Sequence, residues 1–129
     1  MKKYKIELTR DQLVLVSNCL EDISRFAGGQ TELRYTIEEI LKDKEHKCFM
    51  YRRGAAESHL KQLKQVLLPE LRENEYLSYN STEFIGNVYQ VYRSILHHLA
   101  KEEEWNDVYS SPPLPSGTMG CVNIETVGK

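Results

Sequence analysis

Two groups of side chains in this sequence have the types and spacing to hold an anion. Arg25-Phe26 precedes Gly28-Gly29-Gln30, and Arg34-Tyr35 follows a few residues later. Further along, Tyr89, Tyr92, Arg93 and His97 fall on neighbouring turns of one helical stretch. A guanidinium forms forked, charge-assisted hydrogen bonds to phosphate, and tyrosine faces stack on bases or receive cations. A glycine turn that ends one helix and opens another aims the free N–H groups of the second helix at an anion. Arg25, Gln30, Arg34, Tyr89, Tyr92, Arg93 and His97 are therefore the candidate ligand-binding residues. Each also has a structural role open to it. The Gly-Gly turn can be a plain helix cap, Tyr92 can be core, and the basic groups can be solvated.

Other chemistry finds less support. His98 and Glu102 sit one helical turn apart, but the adjacent His97 diverges by about 100° on a helix, so the two histidines cannot address one ion. Cys19, Cys48 and Cys121 match no zinc spacing and no Cys-x-x-Cys pair. There is no Gly-x-Ser-x-Gly elbow, P-loop, Gly-x-Gly-x-x-Gly or His-Glu-x-x-His. The expectation is a non-enzymatic protein with no metal, no cofactor and no catalytic residues.

The elements that must position these residues can be read from periodicity. Lys3 to Leu8 alternates, with Tyr4, Ile6 and Leu8 on one side, the pattern of a half-buried strand. Thr9 and Gln12 have capping-box spacing, which starts a helix at Arg10 and lets it run to Gly28-Gly29. Leu13, Val16, Leu20 and Ile23 form its apolar stripe. A second helix is expected from about Thr31 to Lys42, and a third from Ala55 to Pro69 with Leu60, Leu63 and Leu67 inward. Between them, Lys42, Lys44, Lys47, Arg52 and Arg53 outweigh Asp43 and Glu45 in a stretch without periodicity. The fourth helix is the clearest. Asn80 and Glu83 have capping-box spacing, and Phe84, Val88, Val91, Tyr92, Ile95 and Leu99 make a stripe reaching about Glu104. Beyond Trp105, Ser110 to Gly117 is too rich in proline to be helical and reads as an extended strap. Gly120 to Val127 alternates weakly and could pair with the N-terminal strand. The expected fold is mainly α, or α+β: about four helices in a bundle, with short N- and C-terminal strands. Residues 1–129 form one domain, with strand and helical core over 1–104 and the strap over 105–129.

Composition narrows the partners. With 40% hydrophobic and 28% charged residues, the chain has the make-up of a globular domain rather than a disordered one. A net charge of −2 lacks the surplus of Lys and Arg that phosphate backbones demand, which argues against nucleic acid as the partner. No run of about 20 apolar residues is present to span a bilayer, and no signal-peptide pattern follows Met1. A cytoplasmic protein without a membrane partner is expected.

Several of these motifs together resemble a widespread family of small bacteriophage and prophage proteins. Ile6, Leu8, Thr9 and Gln12 match its Ile-x-Leu-Thr-x-x-Gln opening. Ser24, Arg25, Phe26, Gly29 and Gln30 match Ser-Arg-Phe-x-x-Gly-Gln. Tyr89, Tyr92 and His97 match its late helix, and Pro112, Pro113 and Leu114 its closing strap. Family members usually carry an arginine directly before the late histidine. This sequence has Leu96 there, with Arg93 one turn earlier. The resemblance implies a phage-borne accessory protein, and such proteins include sponges for nucleotide immune signals. Joined to the cationic and aromatic kit, it suggests a protein that sequesters a small anionic nucleotide of the cyclic-oligonucleotide or cyclic ADP-ribose type in the host cytoplasm. Self-association is expected too, because a small domain encloses ligand better by pairing with copies of itself. The alternative reading is a small helical adaptor or inhibitor of a host protein.

Overall fold

Thr9 opens the first helix by the expected capping box. Its hydroxyl accepts the Gln12 N–H at 3.2 Å, and the Gln12 side-chain oxygen accepts the Thr9 N–H at 2.8 Å. In the computed structural model, which describes residues 1–128, this helix is α1, Arg10–Ala27. It ends where Gly28 donates its N–H back to the Ser24 and Arg25 carbonyls and Gly29 turns left-handed at φ 95°. Three further helices follow: α2 (Arg34–Leu41), α3 (His46–Leu67) and α4 (Glu83–Glu102), with a 3-10 turn at Val108–Ser110. The fold is mainly α.

The core lies between α1 and α4. Ile85, Tyr92, Ile95, Leu96, Leu99 and Ala100 of α4 are buried there, and Leu41 closes the end of α2. α4 is capped by Thr82, whose hydroxyl accepts the Ile85 N–H at 3.1 Å, and not by Asn80. Asn80 is used one step earlier, accepting from the Ser78 hydroxyl in the preceding turn.

α3 departs from expectation in two ways. It begins at His46, nine residues before Ala55, because Lys47, Met50, Arg52 and Arg53 are good helix formers even without an apolar stripe. Its expected inward face is also largely outward: Leu63 is 41% exposed and Leu67 is exposed as well, while Leu60 is part-buried. Among the described residues, α2 is the only helix that α3 contacts. The buried side chain on α3 is instead Lys64, whose ammonium donates to the main-chain carbonyls of Glu73 (2.9 Å) and Glu75. That contact folds the loop after Pro69 back onto the helix.

Neither terminal strand is present among the described residues. The C-terminal segment has found a different partner for its main chain. From Trp105 it runs back along α4 to Ser116, turns, and returns along α4 toward Thr126. Gly117 N–H donates to Gln90 Oε1 (2.9 Å), Thr118 and Met119 N–H to Asn87 Oδ1 (2.7 and 3.0 Å), and Val122 N–H to Ser94 Oγ (3.1 Å). Polar side chains of α4 thus do what a neighbouring strand would have done. The approach is so close that a Cβ on Gly86 would lie 1.9 Å from the Ser116 carbonyl oxygen. With the C-terminal segment committed to α4, the alternating stretch Lys3–Leu8 has no strand to pair with among the described residues.

Candidate functional site

The inner face of α1 is polar where an apolar stripe would be ordinary. Ser17, Glu21 and Ser24, at i, i+4 and i+7, are buried together against α4. Glu21 is only 1% exposed, and four elements meet around it. Its Oε1 accepts the Tyr109 hydroxyl from the strap at 2.7 Å. Its Oε2 lies 3.4 Å from the guanidinium of Arg25, one turn along α1. Tyr35 of α2 and Tyr92 of α4 share its field. Burial, and next the charge of Glu21, push the Tyr92 hydroxyl up to about 12. Burial followed by the Glu21 carboxylate raises Tyr35 and Tyr109 in the same direction. All three phenols are thereby kept protonated beside a carboxylate, and Tyr109 donates to it.

Asp22, the next residue, turns the other way and fixes α2. It accepts the Tyr35 N–H (3.2 Å), the Thr36 N–H (2.7 Å) and the Thr36 hydroxyl (2.8 Å). The N–H groups at the start of α2 were the expected seat of an external anion. The protein's own Asp22 carboxylate fills that seat, satisfying the free donors of the helix from within. It also offsets the cost of Leu33, which enters α2 in the left-handed region at φ 42°.

An aromatic and cationic flank extends from this centre along α4. The Tyr89 ring stands 4.7 Å from Tyr79 and meets Tyr92 edge-on at 5.8 Å. The Arg93 guanidinium lies 5.2 Å from the Tyr109 ring centre and 5.9 Å from that of Tyr89. One of its nitrogens donates to the Val108 and Ser111 carbonyls, at 3.3 and 3.1 Å, and the other terminal nitrogen is buried without a partner among the described residues. His97 reaches the Tyr109 carbonyl at 3.1 Å. Arg93 and His97 therefore hold the strap, and the strap delivers Tyr109 to Glu21.

Five of the seven candidate residues, Arg25, Tyr89, Tyr92, Arg93 and His97, belong to this one network. The other two stand apart. Arg34 is exposed and pairs with Glu38 at 3.5 Å, while Gln30 lies in a shallow dent beside Lys64 and Leu67. Sequence reasoning missed the centre, Glu21, together with Asp22, Tyr79 and Tyr109. A signal for Glu21 existed in the spacing of Ser17, Glu21 and Ser24, but a polar row on a helix ordinarily faces water.

Other polar groups are committed locally. His98 contacts Thr126 Oγ1 (2.9 Å) and Glu102 (3.2 Å), and no group of three metal-ligating side chains occurs among the described residues. An open depression of about 410 Å³ borders Lys61, Lys64, Leu71 and Arg72. Its cations are paired, Lys61 with Glu73 at 3.3 Å and Arg72 with Glu75 at 3.8 Å. Comparison with protein-family models, curated proteins and solved structures returns no match.

Proposed function

We propose that this is a non-enzymatic binding protein that sequesters a small anionic nucleotide signal, of the cyclic-oligonucleotide or cyclic ADP-ribose class. The observation that supports the reading is the part-exposed edge of the Glu21 cluster, where the Arg25 guanidinium and the rings of Tyr35 and Tyr89 reach the surface. Arg25 is part-exposed and carries the fork geometry that phosphate requires. Tyr35, Tyr79 and Tyr89, also part-exposed, present aromatic rings for a base. The sequence motifs that resemble those of small phage proteins suggest the biological setting: a phage-borne antagonist of bacterial anti-phage defence, acting in the host cytoplasm.

The test is to incubate the purified protein with a panel of cyclic di- and trinucleotides and cyclic ADP-ribose isomers. Ligand recovered intact after heat denaturation supports sequestration, and ligand recovered cleaved makes the protein an enzyme. Because Arg25 is the ion-pair partner of a buried carboxylate, Arg25→Ala would disturb stability as well as binding. Arg25→Lys keeps the charge and removes the fork. It should weaken binding by roughly tenfold or more while leaving the unfolding midpoint nearly in place. Equal affinity in wild type and Arg25→Lys would remove Arg25 from the site. A second reading, a helical adaptor for a host protein, is favoured by the exposed Met50, Tyr51, Val66 and Leu67 of α3 and predicts no nucleotide binding at all.

A further inference from the structure

The chain exposes more surface than a self-sufficient domain of its size. Its accessible area is 9664 Å², whereas a folded monomer of 15.0 kDa exposes roughly 7,000 Å². The surplus, roughly 2,600 Å², is surface left unpacked by the extended ends and by α3.

Part of that surplus is the segment Lys3–Leu8. Tyr4 is 84% exposed, Ile6 76% and Leu8 38%. Among the described residues its main-chain groups make no hydrogen bond within the chain. An alternating apolar segment with a free main chain is a strand awaiting a partner. The segment is also complementary to itself. Laid antiparallel about a two-fold axis at Ile6, Ile6 faces Ile6 of the second copy, Tyr4 faces Leu8, and Lys5 faces Glu7 twice over. All apolar groups then share one side of the ribbon, and each charge meets its opposite. Moving the register by one residue sets Ile6 against a charge. Moving it by two sets Lys5 against Lys5, or Glu7 against Glu7. A parallel, in-register pairing stacks like charges at both positions.

We infer that two copies of this chain join through Lys3–Leu8, paired antiparallel and centred on Ile6. The pairing supplies the strand hydrogen bonds that each chain lacks alone and buries Tyr4, Ile6 and Leu8 from both copies. A two-stranded ribbon by itself is marginal, so its apolar side must be covered. The exposed apolar side chains of α1 and α3, Leu15, Met50 and Tyr51 among them, are the surface available for that. The interface is independent of nucleotide binding, so it can fail without touching the function proposed above.

The experiment is the solution mass of the full chain by light scattering across a dilution series, for wild type, Lys5→Glu, Glu7→Lys and the Lys5→Glu/Glu7→Lys exchange. These side chains are exposed and outside the core, so circular dichroism should show the same helix in all four. Wild type should have twice the 15.0 kDa chain mass, or an even multiple of it. Each single variant should raise the dissociation constant by about tenfold or more, because two symmetry-related pairs change from attraction to repulsion, and the exchange should restore it. A monomeric wild type, or an exchange that dissociates as readily as the single variants, would overturn the pairing.

Discussion

Tyr109→Phe isolates the contact that ties the strap to the helical core. The substitution keeps the ring, with its edge to Trp105 at 6.4 Å and its contact with Arg93, and deletes only the hydroxyl that donates to Glu21 at 2.7 Å. A hydrogen bond to a charged group is worth about 1.5–3 kcal/mol, and its loss leaves Oε1 of a nearly inaccessible carboxylate without a donor. Tyr109 itself is only part-buried, so water can reach the vacated position by a small opening, which places the cost near the lower end. A loss of about 1.5–2 kcal/mol is expected, equivalent to a fall in melting temperature of roughly 5–10 °C for a chain of this length. Urea unfolding followed by far-ultraviolet circular dichroism measures it, with an unchanged m-value showing that the same surface unfolds. Arg93 and His97 still hold the strap in this variant, so the strap should stay docked. Glu21→Gln completes a double-mutant cycle, and the two changes should be coupled by about 1 kcal/mol. Strict additivity, or a Tyr109→Phe stability within about 0.5 kcal/mol of wild type, would refute the idea that Glu21 anchors the strap.

Two further outcomes follow from burial. Ile95→Ala should cost about 2–5 kcal/mol, since Ile95 lies in the α1–α4 core, whereas Leu63→Ala on the exposed face of α3 should cost less than about 1 kcal/mol; similar losses in urea titrations would mean that α3 packs more tightly than its exposure indicates. Stability should also decline in alkali. The Tyr92 hydroxyl is held near 12 in the fold and ionises near 10 when unfolded, so its contribution is complete below pH 10 and is lost as pH rises toward 12, by about 2–3 kcal/mol. Tyr35 and Tyr109 act in the same sense. The urea midpoint should therefore fall above pH 10 in wild type and fall less in Tyr92→Phe, and a midpoint equally flat in both would show that Tyr92 is not shielded as described.

What the sequence determined by itself is whatever near neighbours decide. Thr9 and Gln12 satisfy each other's main chain across three residues, so the start of α1 was legible, as was its end at Gly28. The existence of α4 needed only its own period, which placed Tyr92, Ile95 and Leu99 inward but also Phe84, which is 57% exposed, and the proline run needed only its own stiffness. The placement of Tyr89, Tyr92, Arg93 and His97 on one helix was legible for the same reason. Their arrangement was not. Only the tertiary structure decided that Asp22 would occupy the seat before α2, that Asn87, Gln90 and Ser94 would satisfy the main chain of the strap, and that Tyr109 would reach Glu21 across 88 positions of sequence. A carboxylate on a helix looks the same in sequence whether it meets water or a phenol. Which one it meets depends on where distant segments come to rest, because a buried polar group takes whatever partner the packing brings within hydrogen-bond reach.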